Sequence, residues 1–363
     1  MLYWLSDLSN YFGPFRLFEY VTFRAAGAAF TAMLLAALLG PFTVRKLKQL
    51  RATAPCRLEG LVDKAFIDRN KDKTPSMGGL LIVFSIIVSS LLWNIITNPI
   101  TLTLLVVMVL FAAIGFIDDF AKVRFGKRDG IPGKMKLLLQ FFFAVGAIMF
   151  LDCIPETRDL LHQLMLPFLK QPVLISGWVM ALGAFVVVGS SNAVNLTDGK
   201  DGLAVGCCIF CALTYAVFAY LCGHKIFAAY LSIPFIPGVS EAVVFAAALA
   251  GACIGFLWHN CHPASMFMGD TGSLSLGGTI GLIAVMVKQE LILVVVGGVF
   301  VMEAASVIIQ VTSFKLTGKR VFLCTPIHHH FEQKGWTETQ IVVRFWILAG
   351  ILALAGLATL KLR

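Results

Sequence analysis

Four stretches of this chain gather side chains that can do chemistry. GFIDDFAKV sets Asp118 beside Asp119, and SNAVNLTDGKDGLA repeats Asn192, Asn195, Asp198 and Asp201 at every third residue. PASMFMGDTGSLSLGG holds Phe267 and then Asp270 between two glycines, and TPIHHHFEQKGW lines up His328, His329 and His330. Neighbouring residues on a helix point about 100° apart, so Asp118 and Asp119 cannot act as one symmetric dyad and must take different jobs. The bland alternative is a pair of helix-end carboxylates reaching water, against the macrodipole. The Asn/Asp repeat would sweep around roughly half a helix circumference and line a curved wall, whereas capping and turns account for one Asn and one Asp. Asp270, followed by Thr271 and Ser273, also suits a plain N-cap.

The inventory narrows the chemistry. Consecutive histidines lack the spacing of a structural zinc site, even with His259, Cys261 and His262 nearby in LWHNCHP. Together with Lys73, Lys122 and Lys136 they suit phosphate oxygens better. Carboxylates suit a hard divalent ion, and Mg²⁺ takes a few carboxylates with waters and substrate phosphates. Neither GxxxxGK[ST] nor GxGxxG occurs in the sequence, which removes support for nucleotide hydrolysis and hydride transfer. Phosphoryl transfer onto a lipid acceptor fits what remains.

The elements that must hold these groups are membrane helices. The 363 residues are 58% hydrophobic and 13% charged, far too apolar for an ordinary soluble domain. Apolar runs of about 20 residues fall near 21–44, 77–97, 100–118, 136–153, 172–191, 203–222, 242–259, 272–288, 291–312 and 341–361. The expected fold is therefore all-α: a polytopic integral membrane protein of about ten transmembrane helices, with residues 1–363 as a single catalytic domain. The loop after the first run carries Arg45, Lys46, Lys48, Arg51, Arg57, Lys64, Arg69, Lys71 and Lys73, which places it in the cytoplasm. Alternation then puts loops near 119–135, 192–202, 260–271 and 313–340 on the same side, with both termini periplasmic. Every acidic or histidine cluster falls at that cytoplasmic face. The net charge of +9 reads as this topology rather than as a nucleic-acid surface, so no nucleic-acid partner is expected. The nine cysteines are odd in number and lie mostly in apolar runs, which is no disulfide framework. Cys208 and Cys211 read as packing residues. Glu303 stands near the middle of a run, where a carboxylate is costly, and reads equally as a buried hydrogen-bond partner or as part of a lipid groove.

The motifs resemble those of the phospho-N-acetylmuramoyl-pentapeptide transferases, within the wider polyprenyl-phosphate N-acetylhexosamine-1-phosphate transferases. The resemblance rests on FRA at 23–25, KTPSMGG at 73–79, GFIDDFAKV at 115–123, NAVNLTDGKDGLA at 192–204, FMGDTGSLSLGG at 267–278, SFKLTGKR at 313–320, PIHHHFEQKGW at 326–336 and VRFWI at 343–347. It implies transfer from UDP-MurNAc-pentapeptide to undecaprenyl phosphate, giving lipid I and UMP with Mg²⁺, by a homodimer in the bacterial cytoplasmic (inner) membrane. It also implies roles. Asp118 and Asp119 match the acidic pair, one handling the lipid phosphate, and Asp270 the carboxylate that holds Mg²⁺. Asn192, Asn195 and Asp198 match active-site polar positions, and Asp201 and Phe267 uridine contacts. Lys73, Lys122, Lys136, His328 and His329 match basic positions near the nucleotide and diphosphate. Lys200 departs from the pattern, which commonly has Leu there; a cation at this point would contact phosphate or face water. Two rivals stay open: a sister transferase using UDP-GlcNAc, and a transporter or flippase, which would show inverted repeats and polar groups at mid-membrane.

Overall fold

The computed structural model describes residues 1–50, 52, 74–125, 130–167, 169 and 171–361. Two short 3₁₀ helices, Leu2–Leu8 and Gly13–Glu19, lead into α1 (Val21–Gln49). There follow α2 (Gly79–Trp93), α3 (Pro99–Phe125), α4 (Gly133–Asp152), α5 (Pro155–Leu161), α6 (Trp178–Thr197), α7 (Leu203–Cys222), α8 (Lys225–Leu231), α9 (Glu241–Asn260) and α10 (Gly269–Met286). The chain closes with α11 (Leu293–Val296), α12 (Gly298–Thr317), α13 (Ile327–Gln333) and α14 (Glu338–Ala358). Among the described residues, strand is confined to β1 (Gln163–Leu164) and β2 (Leu174–Ile175), paired antiparallel.

Eight of these helices are long and apolar enough to cross a membrane. They expose large apolar side chains such as Leu38, Phe142, Trp258 and Leu316, which suits a lipid solvent. The protein is an all-α, multi-pass membrane protein. Two of the ten expected runs differ from a lone span. Helix α2 has 15 residues, about 22 Å at 1.5 Å per residue. Helix α10 is buried from Asp270 through Met286 and carries Thr271, Ser273, Ser275 and Thr279, polar groups that neighbouring helices rather than lipid can accommodate.

The run boundaries also move. The expected 172–191 run is α6, displaced toward its C-terminus, because residues 174–175 pair with 163–164 in the hairpin. Asn192 and Asn195 therefore lie on the helix and not in a loop. Likewise α3 continues to Phe125, since Lys122 and Arg124 suit the negative end of the helix dipole; Asp118 and Asp119 sit two turns inside it. The expected 291–312 run breaks at Gly297 into α11 and α12. Before that break, Lys288, Gln289 and Glu290 form a corner that is buried throughout. Lys288 pairs with Glu290 there, and the Gln289 carbonyl accepts from Tyr215 Oη at 3.0 Å.

Helix α10 is the axis of the site, packed closest against α6 and α3. Glycine permits this. A Cβ at Gly115 of α3 would lie 2.3 Å from the Asp270 carbonyl oxygen, and one at Gly277 of α10 would lie 2.6 Å from the Ser190 oxygen. Small residues let membrane helices approach backbone to backbone. At the opposite end of the bundle, buried Arg24 of α1 makes a two-pronged pair with Glu241 of α9 at 2.7 and 2.8 Å.

Candidate active site

The start of α10 is held from outside its own helix. Asp119 of α3 accepts from the Asp270 amide at 3.1 Å, the Thr271 amide at 2.9 Å and Thr271 Oγ1 at 2.7 Å. These are the unpaired amides of a helix N-terminus, where a carboxylate is favoured. Asp270 lies in the first turn, after the N-cap residue Met268, so the N-cap expectation gives way, and its side chain turns to α3, α4 and α6. Its Oδ2 accepts from Lys122 Nζ at 3.0 Å and Lys136 Nζ at 2.5 Å, and its Oδ1 from Asn195 Nδ2 at 2.8 Å. Asn195 also donates to Ser273 Oγ at 2.8 Å.

Asp118, one residue from Asp119, faces another way, as adjacent helical positions must. Its Oδ1 accepts from the Ile131 amide at 2.9 Å, while Oδ2 lies 2.5 Å from Lys122 Nζ and 3.7 Å from Lys136 Nζ. The shorter contact is an ion pair off hydrogen-bond alignment, leaving a buried Oδ2 without a hydrogen bond. The three carboxylates are each less than 5% exposed, and each offers an oxygen within 4.8 Å of the others. Among the described residues they face two ammonium groups, an excess of one negative charge in a setting where unpaired charge is costly. The donor set is all hard oxygen, and Asp118 Oδ2 is a buried acceptor with spare capacity. These residues fit Mg²⁺.

Known proteins resemble this chain over its full length. Residues 101–288 match the family model described as "Glycosyl transferase family 4". Over the full length of both chains, the protein is 50% identical to the phospho-N-acetylmuramoyl-pentapeptide-transferase of Methylacidiphilum infernorum (isolate V4). It is 48% identical, again over both full lengths, to the protein of that name from Rhodopseudomonas palustris (strain BisB18). The chain belongs to the phospho-N-acetylmuramoyl-pentapeptide-transferase family.

The remaining residues expected of a member of this transferase family stand apart from the three carboxylates or lie outside the described residues. Asn192 stands one helical turn before Asn195 but turns to α4, donating to Gln140 Oε1 at 2.7 Å and the Val188 carbonyl at 2.8 Å; it does not join the carboxylates. Half-buried Asp198 closes α6 as its C-cap residue. Buried Asp201 accepts at Oδ2 from His262 Nδ1 and the Ala264 amide, both at 3.1 Å. Phe267 is half-buried in a loop clasped to the start of α2, its amide donating to the Pro75 carbonyl and its carbonyl accepting from Gly78, each at 2.8 Å. Lys73 lies outside the described residues.

The histidine run splits into three roles. His328 is fully buried, its Nδ1 3.0 Å from Glu303 Oε2, so Glu303 is a buried hydrogen-bond partner and not a groove residue. His329 Nδ1 lies 3.1 Å from Glu332 Oε2. His330 Nδ1 accepts from the Leu323 amide at 3.2 Å. His259 turns away to the Ala37 carbonyl at 2.9 Å. Sequence reasoning missed Thr271 as a ligand of Asp119, and Gln140, Asn260, Glu332 and Glu338 as supports. Asn260 accepts from the Gly202 amide at 3.1 Å. The signal available for Glu332 and Glu338 was their sign, two acids in an otherwise basic loop.

Proposed function

We propose that the chain transfers phospho-MurNAc-pentapeptide from UDP-MurNAc-pentapeptide to undecaprenyl phosphate, giving lipid I and UMP, at the cytoplasmic face of the bacterial inner membrane. The observation that carries this reading is the meeting of Asp118, Asp119 and Asp270 with Lys122, Lys136 and Asn195 at one end of the helix bundle. A lipid acceptor arrives from the bilayer and a soluble diphosphate from the cytoplasm, and only an end of the bundle meets both. We carry forward the homodimer as the assembled form.

Roles follow from what each side chain already holds. Asp119 is committed to the α10 N-terminus by three donors, so it shapes the site. Asp118, with its unaligned Oδ2, is the one left to orient the acceptor phosphate and take its proton. Asn195 fixes the rotamer of Asp270 through Oδ1. Asp118, Asp119 and Asp270 would hold Mg²⁺, which supplies charge neutralisation where two phosphate groups must approach. Lys122 and Lys136 balance the diphosphate as the transferred phosphorus exchanges its bond to the UMP oxygen for one to the lipid phosphate oxygen. His328 and His329 serve the donor side, Lys73 is assigned to the donor phosphates, and the Phe267 ring stacks on uracil beside Asp201 and Asp198.

The test is UMP release by purified protein in detergent with undecaprenyl phosphate, offering UDP-MurNAc-pentapeptide or UDP-GlcNAc, with Mg²⁺ or a chelator. Release from the first donor alone, lost on chelation, is expected. Release from UDP-GlcNAc would move the donor assignment to the sister family, and no release from either would reject transfer.

A further inference from the structure

Lys200 departs from the family pattern, and its surroundings are neither phosphate-facing nor watery. The residue is 9% exposed. Its Nζ lies 2.5 Å from Glu332 Oε1 on α13 and 3.9 Å from Glu338 Oε2 on α14. Both acids are already engaged. The second oxygen of Glu332 meets His329 Nδ1 at 3.1 Å, and Oε1 of Glu338 accepts from the Asp201 amide at 3.0 Å and lies 3.9 Å from His262 Nδ1. His262 in turn meets Asp201 Oδ2. One cation thus ties the turn between α6 and α7 to the histidine helix α13 and to the first turn of α14.

We propose that Lys200 is a positioning residue for the donor site: its buried ammonium clamps α13 and the start of α14 onto the Asp198–Gly202 turn, fixing His329 and Asp201 relative to one another. The inference rests on the transferase reading for what those two residues contact. The turn needs such a tether. Gly202 has a positive φ of 78°, and His328 packs so close that a Cβ on Gly199 would lie 2.4 Å from its Nε2. A small drift of α13 therefore changes what the turn presents.

The clamp also sets electrostatics. Burial depresses the His329 pKa below the usual value; Glu332 pulls it back up, while His328 and Lys200 push it further down. Burial alone would raise Glu332, but its contacts with His329 and Lys200 overcome that and hold the carboxyl down to about 2. Among the described residues, Glu303 on α12 pairs with the neighbouring His328 and Glu338 on α14 with Lys200. Removing Lys200 takes a cation from beside His329 and leaves Glu332 to it alone, so the His329 pKa must rise. Removing the Glu332 charge must lower it.

Four variants test this: Lys200→Leu, Lys200→Arg, Glu332→Gln and the exchange Lys200→Glu with Glu332→Lys. The readouts are KM and kcat for UDP-MurNAc-pentapeptide, and the His329 titration by NMR on ¹³C-histidine protein in detergent. Leu is the residue the family pattern commonly carries at this point, so that variant should fold. Lys200→Leu is expected to raise the donor KM about 3- to 10-fold, the scale of one partly screened ion pair, with kcat nearly unchanged and the His329 pKa raised. Lys200→Arg should stay close to the parent. Glu332→Gln should raise KM likewise but lower the His329 pKa, and the exchange should recover most of the lost affinity. A lost kcat in Lys200→Leu beside a normal Glu332→Gln would overturn the clamp and put Lys200 directly on substrate phosphate. If the parent protein released no UMP, the transferase reading would fail by itself, and an unmoved His329 titration in Lys200→Leu would separately reject the clamp.

Discussion

Replacing Gly115 by alanine adds one methyl group where α3 meets the first turn of α10. That Cβ would lie 2.3 Å from the Asp270 carbonyl oxygen, 2.5 Å from its carbonyl carbon and 2.6 Å from Thr271 Cα, all of them backbone atoms. No side chain can swing aside to make room. Ordinary contact begins at 3.4 Å, so the two helices must part by about 1 Å. The bonds from the Asp270 and Thr271 amides to Asp119, now 3.1 and 2.9 Å, would then stretch to about 4 Å, past hydrogen-bond range. A misplacement of about 1 Å in a reacting constellation costs roughly 100-fold in rate, while overpacking costs about 1–3 kcal/mol of stability. The expected Gly115→Ala protein is folded, modestly less stable, and about 100-fold slower. The assay is the initial rate of UMP release per folded molecule, alongside thermal unfolding in detergent. Gly146→Ala serves as the control, since a Cβ there meets nothing within 4 Å. A Gly115→Ala protein with the parent's rate would refute the argument that this helix contact sets the spacing of the carboxylates.

Three further outcomes follow from the same coordinates. Asn195→Ala removes a donor from Asp270 Oδ1 and should cut the rate about 100-fold, whereas Asn192→Ala, which loses contacts to Gln140 and Val188, should lose stability more than rate; equal rate losses in the two would contradict the split. Glu241→Gln strands Arg24, whose side chain is 2% exposed, and should cost about 3–5 kcal/mol of stability while leaving the rate per folded molecule intact, a pattern that thermal unfolding and UMP release together would expose. Acid should undock α13 in two stages. His329 is held below its usual 6.5 by burial, so the unfolded state takes up the proton first and stability falls as pH drops below about 6.5. Glu332, held at about 2 against a usual 4.5, contributes stability present above 4.5 that is lost as pH falls through 2. Hydrogen exchange of the α13 amides reads both stages: protection unchanged between about pH 7 and pH 4 would contradict the first, and protection unchanged between about pH 4 and pH 2 the second.

Much of the architecture was legible because membrane helices announce themselves by length and apolarity. The boundaries were less so. Hydropathy ends a span where the first charge appears, yet α3 continues past Asp118 to Phe125, because charged groups inside the bundle pair with one another and need not leave the helix. The different directions of Asp118 and Asp119 were readable from adjacency alone, since no helix can turn neighbours the same way. The partner of Asp119 was not: a cap supplied by a helix about 150 residues away in sequence has no local pattern. Lys200 shows the same limit. Its type and neighbours allowed phosphate or water, and the answer lay in Glu332 and Glu338, more than 130 positions along.

The lysines explain how such a site can fold before any substrate arrives. Three carboxylates within 4.8 Å in a low-dielectric interior would repel strongly if left alone. Lys122, placed one helical turn from Asp118 on the same face of α3, and Lys136, entering from α4, bridge Asp118 and Asp270 at 2.5 to 3.7 Å. They therefore offset that repulsion. A divalent cation taken up by the same carboxylates would reverse the excess charge, leaving both ammonium groups with positive charge to share. A diphosphate is what would then be drawn to them. On this argument, replacing either lysine by methionine should damage the protein twice, lowering its stability without ligand and weakening donor binding with it. A variant that lost donor affinity while keeping full stability would show that the lysines serve the substrate alone.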